Sequence, residues 1–519
     1  MNSPVIEPDK VIITKPKKNR RVVSITLCLI YLFISTVAYF AANWYDFTCG
    51  NVGFDAIMFT LLSNLDGAQA TVTGSYLLKG LLPAILSFAA IGFVLFFFPK
   101  KKDIAIKIKK FKFKLFPIKH GCAVAISLIL STIMLFTAAH IVSFSEYLYS
   151  ILNTSKIFEE EYVDPMTAGV EFPEEKRNLI YIFLESIETT YLSEEQGGGL
   201  KDRCIMPELY DLANKNINFS HNDGVGGFVT PNGTTWTAAA MAAQTSGIPL
   251  KAPASFERNA YGADSFLPGA NSITTLLKEH GYYQTLMVGS DATFANRDVY
   301  FKDHGIDKIY DLYTAQEDGI VPEGYHVWWG MEDKYLFKYA QQELTKIAAK
   351  DQPFAFTMLT VDTHFTNGYI CDLCDDEYEE QYDNVISCSS KQVAKFVKWI
   401  QRQSFYKDTT IVIVGDHLTM DSEYIQRNVD SGYDQRVYNC IINSAVPASD
   451  EISKNREFCT LDMFPTTIAA MGGKIPGERL GLGTNLFSDT PTLVEEMGFK
   501  KFNEQIYMNS KYYMKNFLN

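Results

Sequence analysis

Three long apolar runs dominate the first 150 residues; beyond them the chain changes to short apolar segments separated by polar stretches of helical period. The first run, Val22 to Trp44, holds 23 uncharged residues. At 1.5 Å per residue that is enough to cross a hydrocarbon core of about 30 Å with some tilt. Tyr76 to Phe98 is a second candidate span, interrupted by Lys79, and Gly121 to Ser143 is a third, with His140 near its end. Phe54 to Leu62 is too short to span and is expected to lie at the interface or to re-enter. The first run exceeds the apolar core of a cleaved signal, and no small-residue cleavage site follows it, so it reads as a retained anchor.

After an acidic, amphipathic connector at 146–176, strand-like and helix-like patterns alternate. Apolar, β-branched runs occur at Leu179–Leu184, Gln284–Val288, Phe354–Leu359, Thr410–Val414 and Val437–Ile442. Helical patterns fall at Met206–Lys215, Thr237–Ser246, Ser272–His280, Asp333–Ala349 and Ser390–Gln403. This order predicts an α/β fold with a central, mostly parallel sheet flanked by helices. The expected organisation is a membrane domain at 1–145 with three transmembrane helices, the connector, and a catalytic domain at 177–519.

Charge refines the picture. The segment before the first span carries Lys10, Lys15, Lys17, Lys18, Arg20 and Arg21, and the loop from Lys100 to Lys119 carries nine lysines against one aspartate. The loop between the first two spans has Asp46, Asp55 and Asp66 and no basic residue. Positive segments stay cytoplasmic, so three spans place everything after Ser143 outside. Residues beyond 120 hold 31 Lys+Arg against 54 Asp+Glu, a net of −23, within a whole-chain net of −13. So acidic a domain excludes nucleic-acid binding through phosphate contacts; a metal would be needed to draw an anionic substrate to it.

Nine cysteines are present. Cys371, Cys374 and Cys388 crowd one hydrophilic segment. An exported location favours a disulfide between Cys371 and Cys388, with Cys374 as competing partner, while a lone CxxC is weak evidence for zinc. Cys440 and Cys459 either pair or belong to the core.

The candidate chemistry lies where apolar strands end. Glu185 closes NLIYIFLES, Asp416-His417 closes TIVIVGDHL, and Thr237 stands at the start of an Ala-rich helical stretch. In open α/β sheets ligands bind at the carboxyl ends of strands and at helix N-termini. Two carboxylates, an imidazole and a hydroxyl meeting there would hold a divalent cation, with Thr237 as metal-activated nucleophile. Thr234 and Thr235 are close alternatives; Thr237 is preferred because it adjoins the helical run. Alone, each residue has a plainer reading: Thr237 as a helix cap, Glu185 in a salt bridge, Arg297 paired with Asp298, His364 as a satisfied loop histidine.

Taken in order, NLIYIFLES, NFSH, GTTWTAAAMAAQTSGIPL, FANRDVYFKDHGID, WWGMED, TVDTHF, IVGDHL, TLDMFPTTIAAMGG and GLGTNLF resemble the alkaline phosphatase superfamily from about Asn178 to Ser488. Within it the chain is most similar to the membrane-anchored phosphoglycerol transferases, the group containing lipoteichoic acid synthase and phosphoglycerol transferase I. The resemblance implies a multi-pass protein of the bacterial plasma membrane with its catalytic domain outside. It implies Glu185, Thr237, Asp416 and His417 as metal ligands, usually of Mn²⁺; by donor type Mg²⁺ or Zn²⁺ would also suit. It further implies Thr237 as nucleophile and His364 and Arg297 as phosphoglycerol-binding residues. The lipoteichoic acid synthase pattern has an aromatic residue two before that arginine, where Ala295 stands here. The implied reaction moves phosphoglycerol from phosphatidylglycerol, through a phosphoglyceryl-threonine intermediate, to an envelope glycan or polyglycerophosphate, releasing diacylglycerol. Phosphoethanolamine transfer or another metal-dependent hydrolysis is the alternative; no Cys-x-Pro-x-Arg or Ser-x-Pro-x-Arg motif occurs to supply a sulfatase nucleophile.

Overall fold

The computed structural model describes residues 17–50, 53–62, 74–98, 104–108, 111–116, 118–251, 261–262 and 264–518. Lys10, Lys15, Asp66, Lys100–Lys102, Lys109 and Lys110, used in the charge argument, lie outside them. The chain forms two compact units, one from residues up to Tyr45 together with Thr71–Ile141, the other from Asp46–Ala70 together with Val142–Asn519.

In the first unit three helices are long and apolar enough to cross a membrane: α1 (Lys17–Cys49, with its apolar stretch Arg21–Cys49), α3 (Tyr76–Phe97) and α4 (His120–Ile141). A hairpin of β1 (Ile104–Ile108) and β2 (Phe111–Phe116) lies within the basic segment between α3 and α4. The short apolar run forms a helix, α2 (Phe54–Leu62), that belongs to the second unit. There its Phe59 is 3% exposed and packs on Trp236, Tyr261 and Phe266 at ring separations of 5.5–6.1 Å. Its apolar face is therefore satisfied by protein.

The second unit is built on a seven-stranded sheet. Its strands are β3 (Asn178–Leu184), β4 (Gly227–Phe228), β5 (Tyr283–Val288), β6 (Lys308–Tyr310), β7 (Phe354–Leu359), β8 (Thr409–Gly415) and β9 (Val437–Ile442), in the order β4-β9-β8-β3-β7-β5-β6. β8, β3, β7, β5 and β6 run parallel, and β9 and β4 are antiparallel additions at one edge. β3 shows why the sheet is buried on both faces. Successive side chains alternate across a strand; Leu179, Tyr181 and Phe183 join one core and Ile180, Ile182 and Leu184 the other. The first core is covered by α5 (Thr237–Ser246). The second is covered by the apolar stripes of α7 (Asp333–Ala348) and α8 (Gln381–Ile400). Each such side chain contributes on the order of 1.5–3 kcal/mol when fully buried. Cys440 lies in the second core and Cys459 in the first, so the sheet separates them and they do not pair.

The centre of the sheet sets the site. β3 and β8 pair in register up to Leu184 opposite Gly415, which brings the next residues, Glu185 and Asp416, to one edge. Gly415 is required by close approach: a Cβ there would sit 2.0 Å from the Ile187 carbonyl oxygen. Gly415→Ala is expected to cost about 2–3 kcal/mol by forcing the strands apart, read as a drop of several degrees in the apparent thermal midpoint of the full chain.

Candidate active site

At the carboxyl edge of the sheet four predicted residues converge. Thr237 is the first residue of α5, with Trp236 in the cap position. Its Oγ1 lies 3.2 Å from Glu185 Oε2 and 3.2 Å from His417 Nε2. His417 Nε2 is in turn 3.6 Å from Glu185 Oε1 and 3.4 Å from Asp416 Oδ2. Of the two alternatives, Thr234 is instead buried and turned away, donating to the Pro231 carbonyl at 2.8 Å and lying 3.2 Å from Thr460 Oγ1.

Each ligand candidate is held by a second layer of polar contacts. Asp416 Oδ1 accepts the backbone N–H groups of Ser186 at 2.8 Å and His417 at 2.7 Å. Its other oxygen, Oδ2, is buried without a hydrogen-bond partner. The Leu418 carbonyl lies 2.7 Å from His417 Nδ1, and a carbonyl can only accept. Nδ1 therefore carries a proton, and in the neutral ring Nε2 keeps its lone pair for the site. Glu185 Oε1 accepts from Ser186 Oγ at 2.7 Å, and the Glu185 backbone is clamped by Thr360 and Thr363. Ser186 itself adopts φ = 56°, a left-handed conformation uncommon outside glycine and concentrated at functional sites.

The electrostatics are those of a cation site. Burial pushes the Asp416 carboxyl up to about 7, and the Glu185 charge acts in the same direction. Burial also opposes ionisation of Glu185, but the imidazoles of His364 and His417 together with hydrogen bonding to Ser186 and Asp416 outweigh it and hold that carboxyl below its ordinary value. For His417 the two carboxylates overcome burial and raise it. Two buried acids, an imidazole lone pair, a hydroxyl and an orphaned carboxylate oxygen suit a hard or borderline divalent ion. The residues present thus fit such a metal.

His364 lies on the loop after β7, partly buried, with Nδ1 2.9 Å from the Phe365 carbonyl, so its Nε2 is likewise unprotonated in the neutral ring. Burial is the main influence lowering its pKa, against the pull of Glu185. Arg297 begins helix α6 (Arg297–Asp303) and is 6% exposed. It does not pair with Asp298, which takes Lys302 at 2.8 Å. Its Nη2 donates to Ser290 Oγ and the Asp291 carbonyl at 2.9 and 2.6 Å, and its Nε to the Phe294 carbonyl at 3.1 Å. Among the described contacts its Nη1 has no partner. Burial lowers this guanidinium to about 10 although Glu185 and nearby aspartates favour its charge.

Two further residues, Trp329 and Asp333, support the site. The Trp329 ring lies 4.6 Å from that of His364 and 5.6 Å from that of Phe294. The indole N–H groups of Trp329 and of Trp236 are buried without partners. Asp333, fully buried, accepts the backbone N–H groups of Val361 at 2.8 Å and Asp362 at 3.3 Å. It thereby fixes the start of the loop that carries Thr363 and His364. Their common signal was the WWGMED segment, but their partners lie about thirty residues onward in the chain.

The sulfatase family model matches residues 177–472, and the chain belongs to that family. Among curated relatives, phosphoglycerol transferase I of Salmonella choleraesuis (strain SC-B67) is 28% identical over 484 residues, covering 89% of this chain and 56% of that protein. Phosphoglycerol transferase I of Escherichia coli (strain 55989 / EAEC) is 32% identical over 326 residues, 61% of this chain and 40% of that protein. The chain thus spans about half the length of the curated relatives it matches. A crystal structure of an alkaline phosphatase superfamily protein from Vibrio parahaemolyticus shares the fold, with a TM-score of 0.50 at 20% identity over 68% of this chain and 80% of that one.

Proposed function

We propose that this protein is a phosphoglycerol transferase of the bacterial plasma membrane. In this reading it takes phosphoglycerol from phosphatidylglycerol and passes it to a hydroxyl of an envelope glycan or a teichoic-acid-type polymer. The observation that carries the proposal is the convergence of Thr237 Oγ1 on Glu185 and His417 beside the unpartnered Asp416 oxygen. The membrane-spanning helices, the charge distribution and the similarity to phosphoglycerol transferase I support a catalytic unit on the outer side.

Glu185, Asp416, His417 and Thr237 would hold the divalent ion, Mn²⁺ in our reading; when bound it lowers the pKa of the threonine hydroxyl and offsets phosphoryl charge. Thr237 attacks phosphorus, and the bond from phosphorus to the diacylglycerol oxygen breaks. The threonine proton leaves along its 3.2 Å hydrogen bond to Glu185 Oε2 and passes by way of His364 Nε2 to the departing alkoxide, giving neutral diacylglycerol. In the second displacement His364 takes the proton of the acceptor hydroxyl, that oxygen attacks phosphorus, and the proton returns to Thr237. A neutral imidazole at rest suits both steps, and burial favours that state. The N–H groups of the first turn of α5 and the uncommitted Nη1 of Arg297 face developing negative charge. Trp329, seated against His364, supplies the aromatic face and hydrogen-bond donor that Ala295 lacks.

The direct test is diacylglycerol release from phosphatidylglycerol vesicles by the full chain with Mn²⁺. Release dependent on the ion supports the reading; turnover of phosphatidylethanolamine alone would move the donor to that lipid. His364→Ala is expected to lower kcat by about 10²- to 10³-fold through lost proton transfer. Trp329→Ala is expected to raise KM for the donor about tenfold, the size of one stacking contact with one hydrogen bond. Initial rates over a range of donor concentrations check both.

A further inference from the structure

A second cluster of ligand atoms stands apart from Thr237. Cys371, Cys374 and Cys388 are all unbonded thiols, with Cys371 Sγ 3.7 Å from Cys374 Sγ and 3.9 Å from Cys388 Sγ. The three sulfurs all lie within 4.8 Å of one another. Cys371 and Cys388 are 5% and 3% exposed, and Cys374 is partly exposed. Zinc–thiolate bonds of about 2.3 Å at tetrahedral angles place sulfurs roughly 3.8 Å apart, which is the spacing of Cys371 to each of the other two. A disulfide would use two of the three and leave the third as an odd thiol.

The surroundings suit thiolates. Gln392 Nε2 lies 3.4 Å from Cys388 Sγ, and Cys371 receives the Leu373 backbone N–H. The Lys334 ammonium, tied to Asp372 at 2.6 Å, lies close enough to favour the charged form of Cys371. Three thiolates and a divalent ion sum to one negative charge, and Lys334, which also pairs with Asp372 at 2.6 Å and Glu332 at 3.3 Å, offsets part of it. Donors to sulfur and a nearby cation are the second layer a metal–thiolate site uses.

The local fold gives such a site work. Residues 365–380 link β7 to α8 with no regular element, and Ile370 and Leu373 are 42% and 51% exposed, so the loop has little apolar core of its own. Its other ties include the Asn367 N–H to Asp421 and the partly exposed ion pairs of Lys334 with Asp372 and Lys391 with Asp375. Such pairs contribute about 1 kcal/mol or less each. Cys388 stands on α8, which also carries Tyr382, whose hydroxyl donates to the Thr363 carbonyl at 2.9 Å. We propose that Cys371, Cys374 and Cys388 bind a structural, thiophilic divalent ion of the zinc class that fastens the His364 loop to α8. Among the described residues no further His, Cys, Asp or Glu joins the group, so the fourth ligand comes from solvent on the Cys374 side.

The experiment uses the full chain purified in detergent without reductant, equilibrated with zinc and desalted. A thiol-specific mercurial should release about one zinc per chain, and should do so equally from wild type and Asp416→Ala, since the catalytic donors include no sulfur. Cys374→Ser should lose that release and Cys374→His, which keeps a zinc ligand, should retain it. Cobalt in place of zinc should give sulfur-to-metal charge-transfer absorption in wild type and Asp416→Ala alike. A non-reducing peptide map joining any two of the three cysteines would overturn the proposal. So would folded wild type that yields three alkylatable thiols and no mercurial-released zinc. Because the wild-type measurement decides by itself, a serine variant that fails to fold does not protect the idea.

Discussion

Thr237→Ala should release no measurable diacylglycerol from phosphatidylglycerol, a loss of at least about 10³-fold, while its thermal midpoint stays within about 2 °C of wild type. The two halves of that expectation rest on different features. Thr237 Oγ1 is the hydroxyl that meets both Glu185 and His417, and Thr234 does not take its place, because it is spent on Pro231 and Thr460. The stability half follows from position: Thr237 is the first residue of α5, is only partly buried, and makes no capping hydrogen bond to the helix. Thr237→Ser keeps the hydroxyl and should retain a measurable fraction of wild-type release. Retained turnover in the alanine variant would remove the covalent intermediate from the mechanism, leaving direct attack by the acceptor.

Much of this site was legible in the chain, for a physical reason. Strands buried on both faces need continuous apolar runs, so a carboxylate closing such a run marks the sheet edge. Glu185 and Asp416 were found that way, and α5 was bounded correctly at Thr237–Ser246 because the good helix formers Ala and Met run unbroken from Ala238 to Ala243. What escaped lacked such a pattern. The edge strands Gly227–Phe228 and Lys308–Tyr310 are too short to show any period. Helix α8 was expected from Ser390, yet begins at Gln381. Its first half carries the buried polar residues Asp383, Asn384, Ser387 and Ser389, which break the apolar pattern; Asp383, for instance, is buried because it takes Arg203 and Tyr424 from other segments. That shift moves Cys388 from a loop onto a helix and brings it to the CxxC. Trp329 and Asp333 escaped for a related reason. Their roles consist of contacts to His364, Val361 and Asp362, which exist only once β7 is laid beside β3.

The same carboxylates that would hold the metal weaken the protein without it, and Asp416→Asn should expose this conflict. In wild-type protein stripped by chelator, Glu185 and Asp416 are both essentially buried at the ends of adjacent strands, with one Asp416 oxygen unpartnered. Burying like charges is costly unless a counter-ion neutralises them. Asparagine keeps an oxygen for the Ser186 and His417 N–H groups and removes the charge. It also places an amide N–H where Oδ2 now stands, 3.4 Å from the His417 Nε2 lone pair. The chelated variant should therefore melt several degrees above chelated wild type at the same scan rate. Manganese should reverse the ranking. At a hundred times its Kd it stabilises wild type by about 2.7 kcal/mol, whereas the variant, short of a charged ligand, should show little shift and no turnover. An undiminished manganese shift in Asp416→Asn would take Asp416 out of the ligand set. A chelated variant that melts below chelated wild type would instead show that His417, protonated, already neutralises the pair, so that the site is held together by its own imidazole before any metal arrives.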